Sequence, residues 1–363
     1  MAKKYSSRSF IDLIAAGVLK LVIISAPFVC VATNASAGVF SIRMRGFADR
    51  QPTSECLSQL SEIADEFVAQ SAVTLMDISC VTDEWKLTEA RITYSAQEPV
   101  NTYSTDFEFE GGAGWYNTPA DCLAGLQREI EVFQRQTGLR PFAHYCYRAP
   151  TLDSPVYRSE IFAVNKAPGN PINRRFVSSV PLGHQVIDPQ NLNSFLRTSA
   201  SQFGIELVNT RIAPEIAAWG IRVAYYGPKR IAIRAREIGF HVQDTSTTGS
   251  PTCEDAAAAA NAEWPDENIP ASFFCSLVGN NVERLFMTWW SENGFADDDF
   301  TLTDLTPDYP GYAACDSEKT RVVQGLRDAG EKLMLAICDL DGPPPWNIPP
   351  KQYRYRLSVV TQK

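Results

Sequence analysis

Apolar and polar positions follow two alternating periods along this chain, and one stretch shows both. After Thr118-Pro119, the residues Cys122, Leu126, Ile130 and Phe133 keep one helical face apolar up to Gly138. A capping Thr followed by Pro marks the start, because the first helical N–H groups have no partner inside the helix. The pattern then becomes extended, over Pro141–Cys146 and again over Glu160–Val164.

The same succession recurs around three other cysteines. Eleven places after each first cysteine stands a large apolar residue: Phe67, Phe133, Trp264 and Leu326. Four places after it stand Leu60, Leu126 and Ala257, while Lys319 breaks the stripe in the last repeat. The second cysteines sit in or end extended apolar runs, with Met76, Ile78 and Cys80 expected on one face, and likewise Met334, Ala336 and Cys338. The resulting pairs are Cys56 with Cys80, Cys122 with Cys146, Cys253 with Cys275 and Cys315 with Cys338, at spacings of 24, 24, 22 and 23 residues. Four such similar spacings indicate an internal repeat. A cysteine in the first turn of a helix, packed on an inward strand cysteine, closes a disulfide. Each bond is then expected to staple helix to sheet, with a stabilisation on the order of 3 kcal/mol.

A further extended run follows each second cysteine: Arg91–Ser95, Ser159–Val164, Leu285–Trp290 and Tyr353–Val360. Another precedes each helix: Val39–Arg45, Thr105–Glu110, part of Arg230–Val242, and Phe300–Leu305. The unit reads β-α-β-β, with its last two strands antiparallel across a hairpin-length loop. The fold class expected is α+β: two tandem related modules, each of two such units, with helices packed on antiparallel sheet. Module 1 spans 38–165 and module 2 spans 227–363. Residues 166–226 read as a connector of a different kind. Asn165–Val186, rich in Pro, Gly and Asn, reads as loop; it is followed by a helix over 188–204 with Leu192, Phe195, Leu196 and Phe203 on one face, a strand near Ile205–Val208, and an ambiguous stretch from Ala213 to Tyr226. The connector is apolar enough to pack on one or both modules.

Composition changes this picture mainly at the N-terminus. Lys3, Lys4, Arg8 and Lys20 flank the apolar run Leu21–Ala32, and Ala35-Ser36-Ala37 matches a small-x-small cleavage site. Residues 1–37 therefore read as a signal peptide that carries Cys30 away with it. Cleavage leaves 29 basic against 41 acidic residues, a net charge of −12. Such an acidic chain is a poor partner for nucleic acid or anionic membrane. No later segment is apolar enough to span a bilayer as a helix. An even count of cysteines fits an oxidising compartment, so the protein is expected in the periplasm, at the cell surface or outside the cell. The only glycosylation sequon, Asn34-Ala35-Ser36, falls inside the signal and favours a bacterial source.

Candidate chemistry adds little. His144, two residues before Cys146, reads as core beneath a helix; His184 sits in a loop and His241 in a strand. No nucleophile elbow, metalloprotease helix, Walker loop or dinucleotide fingerprint is present, and nothing calls for a cofactor or metal. The acid groups Asp83-Glu84, and Glu292 with Asp297–Asp299, are the raw material for a glycosidase or a calcium loop. Trp289 and Trp290 point to opposite faces of one strand, and Tyr353 and Tyr355 alternate with arginines on a strand expected at a sheet edge. These four aromatics are the candidate partner contacts. The function expected is an exported, non-catalytic binding or structural protein, working through protein–protein or self-assembly contacts. The alternative is a secreted, glycosidase-like hydrolase using paired carboxylates, with or without calcium.

Overall fold

The computed structural model describes residues 37–47, 53–82, 88–105, 116–149, 156–167, 169, 172–214, 219–243, 249–264, 270–279, 282–292, 300–341 and 353–362. The stretch 1–37 expected to be a signal peptide thus lies outside the described residues except for Ala37.

The first unit runs β1 (Gly38–Arg45), α1 (Thr53–Ser71), β2 (Thr74–Thr82) and β3 (Thr88–Ala96). Its sheet has the order β1-β3-β2 and is antiparallel throughout, so the last strand lies in the middle. The second unit repeats this with β4 (Thr102–Ser104), α2 (Pro119–Thr137), β5 (Pro141–Ala149) and β6 (Val156–Val164), in the order β4-β6-β5. Of the Thr105–Glu110 strand expected here, all but Thr105 lies outside the described residues.

The supposed connector departs from expectation. It contains β7 (Arg174–Pro181), the two-residue β8 (Gln185–Val186), α3 (Pro189–Ala200), β9 (Glu206–Pro214) and β10 (Trp219–Gly227). Its sheet order is β7-β10-β9, again first-last-second. It is a β-α-β-β unit of the same topology, without cysteines. The fourth unit is β11 (Ala232–Val242), α4 (Cys253–Glu263), β12 (Ala271–Gly279) and β13 (Val282–Ser291). The fifth is β14 (Phe300–Tyr309), α5 (Tyr312–Asp328), β15 (Leu333–Leu340) and β16 (Tyr355–Gln362). Their orders are β11-β13-β12, with β8 added beyond β12, and β14-β16-β15. β16 therefore bonds to a strand on each side and is no sheet edge.

Local chemistry explains the helix starts. Thr118 accepts from the Asp121 N–H before Pro119, and Asp188 accepts from Gln190 and Asn191 before Pro189. Thr252 and Asp255 form a capping box. Gly138 and Gly204 end their helices at φ of 70° and 64°, where a side chain is disfavoured.

Every helix except α5 lies between two sheets. Phe67 of α1 meets Tyr94 of the first sheet and Phe142 of the second, both at 5.2 Å between ring centroids. Phe133 of α2 meets Tyr103 of the second sheet at 5.6 Å and Tyr226 of the third at 6.1 Å. The α3 stripe of Leu192 and Leu196 shares one core with Tyr225 of the third sheet and Phe286 and Trp290 of the fourth. The α4 stripe joins Leu285 and Trp289 of the fourth sheet to Met334 and Ile337 of the fifth. Sheets and helices thus alternate from the first sheet to α5, each layer burying the apolar face of the last.

Both ends of this series are largely polar, with Val39 and Val81 among the exposed apolar exceptions on the first sheet. On the first sheet Ser41, Arg43 and Arg45 point outward and are exposed, while Ile42 and Met44 face α1. On α5 only Cys315 is fully buried; Asp316, Ser317, Thr320, Arg321 and Gln324 are exposed.

The four bonds are Cys56–Cys80, Cys122–Cys146, Cys253–Cys275 and Cys315–Cys338, each tying a helix to the second strand of its own unit. A bulge near the start of β2, β5, β9 and β15 shifts the register. A bulge sets two residues against one and re-aims those before it. Met76 is consequently 55% exposed rather than inside with Ile78 and Cys80. Met334 likewise packs in the α4 core, across the sheet from Ala336 and Cys338.

Candidate functional site

The tryptophan pair sits deep in the fourth layer. Trp290 donates its indole N–H to Ser199 Oγ of α3 at 2.9 Å, and Trp289 belongs to the α4 core. Each is 2% exposed. Tyr355 is buried and meets Tyr312 of α5 edge-on at 5.8 Å, while Tyr353 is half-buried. Among the described residues these aromatics join layers to one another.

His144 is a correction: it is exposed. It pairs with Ile161 on the side facing α2, but β5 is an edge strand and the helix does not cover its rim. His184 is half-buried in its loop. His241 is buried, its ring bonds to the Pro251 carbonyl, and burial lowers its pKa to about 4. Its Nε2 finds no hydrogen-bond partner among the described residues. Glu292 is exposed and pairs with Lys229 Nζ at 2.5 Å. Asp83-Glu84 and Asp297–Asp299 lie outside the described residues.

Two buried polar clusters were not expected. Between the second and third sheets, Glu129 of α2 pairs with Arg175 of β7, their side chains 1% and 3% exposed. Ser159 donates to Glu129 Oε2 at 2.5 Å, Arg175 Nη2 donates to the Thr105 carbonyl at 2.7 Å, and the Arg175 N–H donates to Tyr103 Oη at 3.0 Å. Burial first, and then the Glu129 charge, push Tyr116 up to about 12. The Tyr226 hydroxyl is raised for the same reasons. An ion pair this enclosed gains little over apolar packing, yet losing either partner strands a charge. The pair ties α2 to β7 of the third sheet. The clue in the sequence is Glu129 itself, seven residues after Cys122 on the apolar stripe.

The second cluster surrounds Asp339, next to Cys338 in a strand otherwise apolar. Ser358 Oγ donates to Asp339 Oδ2 at 2.7 Å and Arg356 Nε donates to Oδ1 at 2.9 Å. Ser358 Oγ also lies 2.9 Å from Asp304 Oδ1, so its single proton serves one carboxylate at a time, and Arg356 pairs with Asp304 at 3.1 Å. Gly239 of β11 leaves the room: a Cβ there would stand 2.2 Å from Asp339 Oδ2. Burial pushes the Asp339 carboxyl up to about 7 despite Arg356. An enclosed acid beside a half-exposed carboxylate resembles a general-acid pair in composition, but Asp339 itself is 0% exposed.

Shallow recesses among the described residues include the following pair. One, of roughly 360 Å³, lies between β7 and β11 and includes Pro181, Arg236 and Trp289. The other, of roughly 380 Å³, lies between α3 and α4 beside Phe195, Gln202 and Trp264. Asn261, which lines it, is committed to the Phe273 backbone at 3.0 Å in both directions. Cys253, Cys275 and Glu283 cluster closely enough to suggest a metal site, but both sulfurs are spent in the disulfide. No helix among the described residues is long and apolar enough to cross a membrane. No protein family, curated protein or solved structure matches this chain.

Proposed function

We propose that the protein is a non-catalytic scaffold, exported to the periplasm or cell surface, that works by holding protein partners. The observation that carries this reading is the continuous series of layers, in which four of the five helices are clamped between sheets and four of five units are cross-linked. Stacked repeats of this kind present long rigid surfaces for contact. The largely polar outer faces of the first sheet and of α5 resemble repeat caps, which favours lateral contacts over end-to-end growth. Disulfides in this number accord with an oxidising compartment. Cross-linking in the producing cell, followed by mass spectrometry of the adducts, is expected to recover protein partners on the flanks of the layers.

The carboxylate hydrolase remains the second reading, with the Asp304–Asp339 pair as its foothold. If the purified protein turns over a glycan or peptide library, and Asp304→Asn abolishes turnover without unfolding it, the scaffold reading fails.

A further inference from the structure

The outer edge of β2 differs from the rest of the surface. Among the described residues β2 is the outermost strand of the first sheet, paired on one side only, with β3. Six large apolar residues are exposed among those described, and three of them, Leu75, Met76 and Val81, lie on this strand. Free edges are normally blunted by lysine, proline, a bulge or a covering segment; the bulge of β2 is confined to its start at Met76 and leaves Asp77–Thr82 in regular register. Over Thr74–Thr82 there is no lysine, arginine or proline, and the single charge is Asp77. The corresponding edge in the fourth unit is covered. There β8 pairs with β12 through Val186 opposite Ser276 and Gln185 opposite Leu277, and the Ile187 N–H reaches the Cys275 carbonyl at 2.9 Å. The second-strand edge of this unit therefore accepts an added antiparallel strand, and in the first unit no described strand fills that place.

We propose that β2 is a self-pairing edge: two copies of the chain join β2 to β2, antiparallel about a two-fold axis, in one six-stranded sheet. The pattern of the strand is self-complementary in that arrangement. With Ile78 opposite its own copy, Asp77 faces Ser79; with Ser79 opposite its own copy, Asp77 faces Val81. Neither register sets like charges across from each other, which would be destabilising. The Cys56–Cys80 bond fixes the strand to α1, so little order is lost on pairing. A two-fold contact closes on itself and stops at the dimer, consistent with the largely polar end faces. The inference rests on the scaffold reading and names one partner for it.

The test is sedimentation velocity on the disulfide-intact protein across the micromolar range, with amide exchange over residues 74–82. A dimer is expected, together with exchange in β2 that slows as concentration rises. Met76→Lys with Val81→Lys is expected to weaken the dimer at least about tenfold, leaving the melting temperature of the monomer in place because both side chains are exposed. A wild-type monomer throughout, a dimer indifferent to the two lysines, or β2 exchange independent of concentration would each overturn self-pairing. A monomer that still cross-links to other proteins would overturn it and leave the scaffold reading standing.

Discussion

Asp339 and His241 lie between the fourth and fifth sheets and titrate in opposite senses. Asp339 is held at about 7 against an ordinary 3.8, so the folded chain keeps a proton that the unfolded chain has lost. Its contribution to stability is full below the ordinary value and is lost as pH rises towards 7. His241 is held at about 4 against 6.5, so the unfolded chain takes a proton that the folded chain refuses. That contribution is full above 6.5 and is lost as pH falls towards 4. Between those limits the two slopes oppose each other, each at most about 1.4 kcal/mol per pH unit. The wild type is expected to show little net slope from this pair. Asp339→Asn should leave stability rising with pH, and His241→Gln should leave it falling. Urea midpoints at several pH values in that window check this; slopes that move the same way in both variants would refute it. The groups facing these two across the interface include Arg356, Asp304 and Asp341 around Asp339, and Glu283 opposite His241. Glu283 is itself raised by burial and adds to the Asp339 sense in both variants.

At the scale of the element, the third unit is the instructive one. Cysteine marks its position chemically, so four units were legible from spacing alone, down to which helix is tied to which strand. The third unit carries no such mark. Its equivalents are Leu192, the fourth residue of α3 as Cys56, Cys122 and Cys315 are of their helices, and Ile212. Ile212 lies three residues past Asn209 at the β9 bulge, as Cys80 lies past Asp77, Cys146 past Ala143 and Cys338 past Leu335. Both belong to the α3 core. An apolar pair does there what the disulfide does elsewhere, and nothing in its spacing distinguishes it from any other core pair. Bulges were illegible for a related reason, since a one-residue slip leaves composition unchanged and alters only the facing of Met76 and Met334. The buried clusters had faint signals, Glu129 on an apolar stripe and Asp339 in an apolar strand, but their partners Arg175 and Arg356 come from elsewhere in the chain. Leu192→Cys with Ile212→Cys is expected to form a fifth bond, like the four whose Cα atoms stand 6.0 to 6.4 Å apart. Thiol counting and peptide mapping would detect it, with a gain in stability of up to about 3 kcal/mol. Two persistent free thiols in a folded variant would show that these positions are not equivalent.

For the whole molecule, one order of layers governs stability. Interior sheets are covered on both faces, whereas the first sheet and α5 each face solvent on one side. In stacked repeats, stability is approximately a sum of unit terms and contacts between neighbours, so openings start at the ends. Native-state hydrogen exchange is expected to be slowest in β9, β10 and β13 and fastest in β1, β2 and α5, apart from any slowing of β2 by self-pairing. Protection that peaked at either terminus would contradict the layered account. The pairing of cysteines has a further consequence in time. Each bond joins two cysteines that are consecutive from Cys56 onward, and an inner strand of every sheet is the last of its unit to be made. In a chain that emerges from its N-terminus, both sulfurs of a unit are out before the strand that completes its sheet. No cysteine of a later unit need yet be present to compete. The order of emergence then selects the native pairing among 105 possibilities for eight cysteines, and a simple oxidant following the chain suffices where a scrambled order would require an isomerase.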